Sequence, residues 1–503
     1  MSEKPKAALE AEAAALLAEV LAKDAAGGLS PRDRMAIPCQ EMPVQPPEVR
    51  RGNLDEVALG YGESQARLEA FRCLGCKAPA GAVQPCVQGC PVQVPIPAFV
   101  AALQKGDAAA AAETIGEANL LPAVCGRVCP QEKQCQAECT LGKALKDPAK
   151  AVSIGRLERF AADWVRERGV AKTPRVQKAS GKRVAVIGSG PAGLTAAADL
   201  ARAGHAVTVF EAFHKPGGVM VYGIPEFRLP KAIVSAEVEG LVRLGVTIET
   251  NFLAGRTGAL QDMLGERGFD AVFIGVGAGL PKFLGCPGEN LGGVFSANEY
   301  LTRANLMKAY DTERAATPIF MPTVAAVVGG GNVAMDAARM ALRLGAREVH
   351  VIYRRTRAEM PARAEEVSHA EEEGVIFDFL RNPSRILGND AGHVRALELQ
   401  RFELGEPDAS GRRSPVPIAG SEYLFDCDTV IVALGNESNP LLAKTEPALK
   451  VDKRGRIVVD GEQRTSLPRV YAGGDIVLGA ATVILAMGEG RRAAAAMNRE
   501  LGC

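Results

Sequence analysis

Twice in this chain a short apolar strand runs into a glycine-rich turn, a helix and a second strand. The first unit is Arg183-Val-Ala-Val-Ile187, the turn Gly188-Ser-Gly-Pro-Ala-Gly193, a helix over 192–203 and the strand Ala206-Val-Thr-Val-Phe210. The second is Val324-Ala-Ala-Val-Val328, the turn Gly329-Gly-Gly-Asn-Val-Ala334, a helix over 334–344 and a strand over 348–353. Strand–helix–strand repeats of this kind close as parallel sheets covered by helices, because a parallel connection needs a long crossover. A quieter repeat accompanies them: Phe269-Asp-Ala-Val-Phe-Ile-Gly-Val-Gly277 resembles Cys427-Asp-Thr-Val-Ile-Val-Ala-Leu-Gly435. Internal similarity on this scale predicts two related α/β units, one inserted in the other. The division expected is 180–290 with 440–503 for the outer unit and 291–439 for the inner one. Ahead of them lie a helix and linker over 1–52 and a helical region over 53–170.

The turns carry chemistry. Gly188 permits the tight turn, Gly190 lets backbone approach a pyrophosphate, and Gly193 lets helix and strand pack closely; Pro191 and Ala192 open the helix. Phosphates then meet free N–H groups at a positive helix end. Glu211 ends the next strand, where a carboxylate accepts hydrogen bonds from a ribose. FAD is favoured here over a nicotinamide by Gly217 and Gly218 beyond the ribose, by Tyr222-Gly-Ile-Pro225, and by Gly474 and Asp475 near the other end of the chain. Asp475 can hold a ribityl chain, and a helix starting near Ala481 can aim its N-terminus at the flavin ring. The plainer reading of 473–475 is an ordinary turn.

In the second unit Gly329, Gly330, Gly331 and Asn332 form the turn, and no acidic residue ends the following strand. Arg354 and Arg355 stand there instead, with Arg357 close behind. Arginine at this point pairs with a 2′-phosphate, so NADPH is expected rather than NADH; the competing reading is a solvated cluster. Glu371-Glu-Glu373 reads as a solvated helix face.

Eight of the twelve cysteines fall in two quartets, Cys73, Cys76, Cys86, Cys90 and Cys125, Cys129, Cys135, Cys139. Each contains Cys-x3-Cys-Pro, at Cys90-Pro91 and Cys129-Pro130, the ending typical of ferredoxin-type clusters. Two 4Fe–4S clusters are expected, structural zinc being the alternative. Cys39, Cys286, Cys427 and Cys503 look like bystanders. Clustered thiols and an N-terminus with several glutamates and no apolar core argue for a soluble protein of the reducing cytoplasm. Zero formal net charge gives no general reason to bind nucleic acid or an anionic membrane. The 1–30 segment, with Leu9, Leu16, Leu17, Val20 and Leu21 on one stripe, predicts a helix packed on the body or on a partner, followed by an extended Pro-rich linker over 38–47.

A hydride carries two electrons and a cluster takes one, so a flavin belongs between them. The expected route is NADPH, FAD, cluster, cluster and acceptor, or its reverse; no catalytic acid, base or nucleophile is assigned.

The whole order of motifs resembles the small (beta) chain of NADPH-dependent glutamate synthase, over about 35–500. Ser30-Pro-Arg-Asp-Arg-Met-Ala-Ile-Pro38 and Gly223-Ile-Pro-Glu-Phe-Arg-Leu-Pro-Lys231 are similar to the "homotetrameric" glutamate synthase branch and to the large subunit of the electron-bifurcating NADH-dependent ferredoxin:NADP oxidoreductase. The resemblance implies a pyridine nucleotide-disulfide oxidoreductase-like fold in which the quartets interleave. Cys73, Cys76, Cys86 and Cys139 would hold one cluster; Cys90, Cys129, Cys135 and Glu158 would hold the other, leaving Cys125 unligated. The Cys76–Cys86 spacing is longer than in relatives.

Two enzymatic functions compete. In one, the chain is the electron input of glutamate synthase, feeding a large-chain partner that makes glutamate from glutamine and 2-oxoglutarate; no glutaminase or FMN barrel is expected within 503 residues. In the other, it pairs with a small NADH-binding flavoprotein and ferredoxin. A redox sensor is the non-enzymatic reading.

Overall fold

The computed structural model describes residues 4–172, 174–311, 313–317, 319–409 and 411–503. Five parallel strands form one sheet in the order Val470–Ala472, Ala271–Ile274, Arg183–Ile187, Ala206–Phe210 and Thr247–Glu249. Five others form a second, in the order Val294–Ser296, Thr429–Val432, Val324–Val328, Glu348–Tyr353 and Ile376–Phe379. In each, the strand that feeds a glycine turn lies at the centre. On one side is its strand–helix–strand partner, and on the other the strand of the quieter repeat. Both central strands are buried on both faces, which explains their unbroken apolar runs.

Every strand of the second sheet falls between Ile274 and Val470 in the chain, so the two α/β units are nested. The chain crosses between them at Leu280–Pro281 and Asn436–Glu437, which pair antiparallel and tie the two crossings together. One element went unforeseen. Arg381–Gly388, Val394–Pro407, Arg413–Pro417 and Tyr423–Asp426 form an antiparallel sheet. It covers the second parallel sheet with Ile386, Leu397 and Leu399, against Val328, Ile352 and Val430.

The cysteine-bearing region is helical, built from Glu63–Phe71, Ile96–Gln104, Ala108–Ala118, Pro122–Val128 and Ile154–Glu167 with shorter turns. It is not an appendage. Phe99 and Leu157 from these helices belong to the same buried cluster as Leu194 and Met487 beside the first sheet.

The helix expected within 1–30 is Lys6–Gly27, and a second short helix, Pro31–Ala36, follows it. The break falls at Gly28, whose φ is 82°, and Ser30 with Asp33 makes a capping box that starts the second helix. Leu9, Ala13, Leu17 and Val20 are buried; Ala13, Leu17 and Val20 share a cluster with Leu68 and Phe71 of the body. Glu10 adds a cap in trans, accepting the N–H groups of Ser64 (2.7 Å) and Gln65 (3.2 Å) at the start of Glu63–Phe71. The stretch 38–47 is mostly extended but not free: Met42 is buried, and the Gln40 N–H donates to Glu69. Among the described residues no helix is long and apolar enough to cross a membrane.

Candidate functional site

The first glycine turn is shaped for a close ligand. A Cβ on Gly193 would stand 1.9 Å from the Gly188 carbonyl oxygen, so the helix Pro191–Arg202 sits directly on its own turn. At Gly190, by contrast, no atom lies within 4 Å of where a Cβ would be. That open side, at a helix N-terminus, suits a phosphate. Glu211 folds back onto the turn. Its carboxylate accepts the Ser189 N–H (3.0 Å), the Ser189 hydroxyl (2.5 Å) and the Phe213 N–H (2.8 Å). Ser189 in turn accepts the Gly217 N–H (3.0 Å), which draws Gly217 and Gly218 against the turn.

Asp475 completes this site from the far end of the chain. Gly474 brings it in, passing so close that a Cβ there would stand 2.8 Å from the Ala192 methyl. The carboxyl is buried, and its Oδ1 has no hydrogen-bond partner. Burial pushes its pKa up to about 6. An orphaned buried acceptor calls for a donor, and a ribityl hydroxyl is one. Tyr222 lies within electrostatic reach of both Asp475 and Glu211, its hydroxyl pushed up to about 12 by burial first and then by these carboxylates. The residues present therefore fit a flavin dinucleotide.

The second turn repeats the pattern. Gly329 has a φ of 144° and lies against the Ala433 carbonyl, Gly330 faces the Tyr353 ring, and Gly331 opens to free space. Asn332 accepts the Arg363 N–H at 2.9 Å, holding the helix start to the segment before Ala364–Glu372. The two arginines are split. Arg354 is exposed, whereas Arg355 is buried, donating to Asp408 (2.7 Å) and to the Arg413 carbonyl (2.7 Å). The geometry thus engages Arg355 within the antiparallel sheet and leaves Arg354 presented to solvent.

Of Glu371–Glu373, the first two are exposed, as expected of a solvated helix face, but the third is not. Glu373 is 1% exposed and accepts from Arg50, Arg339 and Arg343. Arg228 and Arg339 also pair with Glu366, and Arg228 with Asp336. Phe227 lies under the guanidinium groups of Arg339 and Arg343 at 4.7 and 3.9 Å. Three parts of the chain meet in this one charged core: the N-terminal segment, the loop after Tyr222, and the helices of the second α/β unit.

The cysteines fall in two groups. Cys73, Cys76, Cys86 and Cys139 line one cavity, walled by apolar residues such as Leu74, Ile96 and Val100. Burial pushes the Cys86 thiol up to about 12 and raises Cys73 as well. Cys90, Cys129 and Cys135 are buried close enough to Glu158 for its charge to raise each of them. Burial also pushes Glu158 up to about 7. Iron would supply the positive charge that favours the ionised form of its ligands. Among the described residues, no three His, Cys, Asp or Glu side chains converge as ligands of a single ion do. Cys125 is fully buried, and its thiol lies 3.5 Å from the Met487 sulfur and 3.7 Å from Asn119 Oδ1.

Close helix packing brings Glu158 to these cysteines. A Cβ on Gly126 would stand 2.6 Å from the Arg159 backbone nitrogen, so Pro122–Val128 and Ile154–Glu167 touch backbone to backbone. The helix Val483–Leu501 then joins the two sites. A Cβ on its Gly490 would stand 2.3 Å from the Ala192 carbonyl, and one on Gly488 would stand 3.0 Å from that of Pro91. Thr482, which caps this helix, accepts from Gln134 beside Cys135.

Fold and site together define an oxidoreductase with nested dinucleotide-binding units built onto an iron–sulfur domain. Residues 182–497 match the family model described as pyridine nucleotide-disulphide oxidoreductase, and 50–170 match that of dihydropyrimidine dehydrogenase domain II, 4Fe-4S cluster. The chain belongs to the pyridine nucleotide-disulphide oxidoreductase family and is a homologue of the glutamate synthase small chains. It is 37% identical to the glutamate synthase (NADPH) small chain of Escherichia coli, over 90% of this chain and 95% of that one. It is 41% identical to the NADP(+)-dependent formate dehydrogenase subunit beta of Moorella thermoacetica, over 83% of this chain, but spans only 60% of that relative's length. The structure of Mycobacterium tuberculosis FprA in complex with NADPH shares the fold at a TM-score of 0.54 and 21% identity, over 64% of this chain and 84% of that one.

Proposed function

We propose that this protein is the electron-input chain of a glutamate synthase, oxidising NADPH and delivering electrons singly to a large-chain partner in the cytoplasm. One observation carries the electron-transfer reading. The helix Val483–Leu501 packs on the Gly188–Gly193 turn at one place and on Pro91, beside Cys90 of the second cysteine group, at another. When bound, FAD would pass on the electron pair of one hydride as single electrons, and two 4Fe–4S clusters would carry them.

The chain's own residues set this up. The Gly188–Gly193 turn brings the N-terminus of the helix Pro191–Arg202 to the flavin's pyrophosphate, with Gly190 on the open side, while Asp475 offers its orphaned oxygen to the ribityl chain. The Gly329–Gly331 turn and Asn332 place NADPH, with Arg354 meeting the 2′-phosphate. Cys73, Cys76, Cys86 and Cys139 hold one cluster; Cys90, Cys129, Cys135 and Glu158 hold the other. The division into 180–290 with 440–503 around 291–439, behind a cluster region over 53–170, belongs to the same proposal.

Coverage of nearly the whole length of the E. coli small chain supports glutamate synthesis as the destination. The bifurcating reading keeps the same internal route and differs in the partner. The native complex, purified anaerobically, separates them: a large glutamine-dependent partner and NADPH-dependent glutamate formation are expected. A small NADH-binding flavoprotein with ferredoxin reduction would overturn the assignment.

A further inference from the structure

We propose that Asn119 is a positioning residue for the second cluster, holding the Glu158 carboxylate in the orientation that presents it to iron; this rests on the reading of Glu158 as a ligand. Asn119 is 1% exposed and sits in extended backbone just past the helix Ala108–Ala118, before the helix that carries Cys125. Its Oδ1 accepts the Leu121 N–H at 3.0 Å and faces the Cys125 thiol at 3.7 Å. A backbone N–H can only donate, so the amide oxygen must face Leu121. The NH2 group therefore faces Glu158, and it donates to Oε1 at 2.5 Å.

One amide thus has both ends committed. The oxygen is pinned by the turn into Pro122–Val128, and the nitrogen passes that fixed position to Glu158 on Ile154–Glu167. Glu158 Oε1 is occupied, so the second oxygen is the one offered to iron in this proposal. A ligand held by an outer hydrogen bond is pre-oriented, and the donated bond withdraws charge from it. Without the N–H donor the carboxylate would be a stronger electron donor, which lowers a cluster's reduction potential.

The test is a potentiometric titration of the anaerobic holoprotein, each cluster followed by electron paramagnetic resonance, in wild type, Asn119→Ser, Glu158→Ala and the double variant. Serine still accepts from the Leu121 N–H but does not reach Glu158. Asn119→Ser is expected to shift the reduction equilibrium of one cluster about tenfold, or about 59 mV, to lower potential. The other cluster should be unmoved, and the effect should vanish in the Glu158→Ala background. Asn119→Asp keeps the turn but replaces the donor with a like charge, and should lose iron to a chelator about tenfold faster. If Glu158→Ala leaves both cluster signals unchanged, the ligand reading fails and takes this proposal with it. If Glu158→Ala alters one cluster while both Asn119 variants behave as wild type, or act equally without Glu158, the ligand reading stands and the role of Asn119 is overturned.

Discussion

At the scale of single residues, Asp475 and Arg354 are the positions where structure and chemistry meet most openly. A buried carboxylate oxygen without a donor, as Asp475 Oδ1 is, is costly, and a flavin hydroxyl would remove that cost. Asp475→Ala should therefore weaken FAD retention about tenfold or more, read by flavin fluorescence after dialysis. The carboxyl also makes the flavin-free protein pH-sensitive. Its folded pKa is raised by burial to about 6, so the stability it contributes is full at low pH and is lost as pH rises through 6. That loss should amount to at most about 3 kcal/mol, seen as the difference between wild type and Asp475→Asn in denaturant titrations at pH 4 and pH 8. Arg354→Ala should raise the KM for NADPH about tenfold or more while leaving that for NADH unchanged; equal effects on both would remove the 2′-phosphate assignment. Arg355→Ala should instead act on stability, because that guanidinium is committed to Asp408.

Elements differ in how far they could be read from sequence. The strands Arg183–Ile187, Ala206–Phe210, Val324–Val328 and Glu348–Tyr353 were legible to the residue, because each is a short apolar run, the first and third ended by a glycine turn. The antiparallel sheet Arg381–Asp426 was not. Pro383, Pro407, Pro415 and Pro417 lie inside its strands, and its polar faces carry no clear alternation, so it reads as loop. Asn119 was invisible too, since its partners Cys125 and Glu158 become neighbours only after Gly126 brings two helices together. That contact has its own test. Gly126→Val would drive a side chain into the Arg159 backbone, at a cost of about 1–3 kcal/mol or more. The second cluster should be lost while FAD content stays near one per chain, checked by iron and flavin analysis of the same sample.

On the scale of the molecule, the charged core around Glu373 joins segments that no local pattern connects. Arg50 reaches Glu373 across 323 positions of sequence, and a run of three glutamates looks solvated until that arginine is placed. Buried ion pairs contribute little net stability when intact, but removing one partner strands the others. Glu373→Ala, which strips three arginines of a partner, should cost about 3–5 kcal/mol, measured by chemical denaturation. Burial alone would raise the Glu373 carboxyl, but Arg339 and Arg343 more than offset it and hold it at about 2. Its contribution is therefore present above the ordinary carboxylate range near 4.3 and fades as pH falls towards 2. This core holds the second α/β unit against the N-terminal segment, and the shared apolar core holds the cysteine region against the first. Dinucleotide turns and cysteine groups consequently sit in one continuous body.

The measurement that bears most directly on that body as an electron-transfer unit is NADPH titration of the anaerobic protein, followed by electron paramagnetic resonance and acid-labile sulfide analysis. Two distinct reduced cluster signals should grow as NADPH is added and the flavin absorbance bleaches, and Cys73→Ser should remove one while Cys129→Ser removes the other. Protein that binds FAD and oxidises NADPH yet contains no labile sulfide and gives neither signal would contradict it.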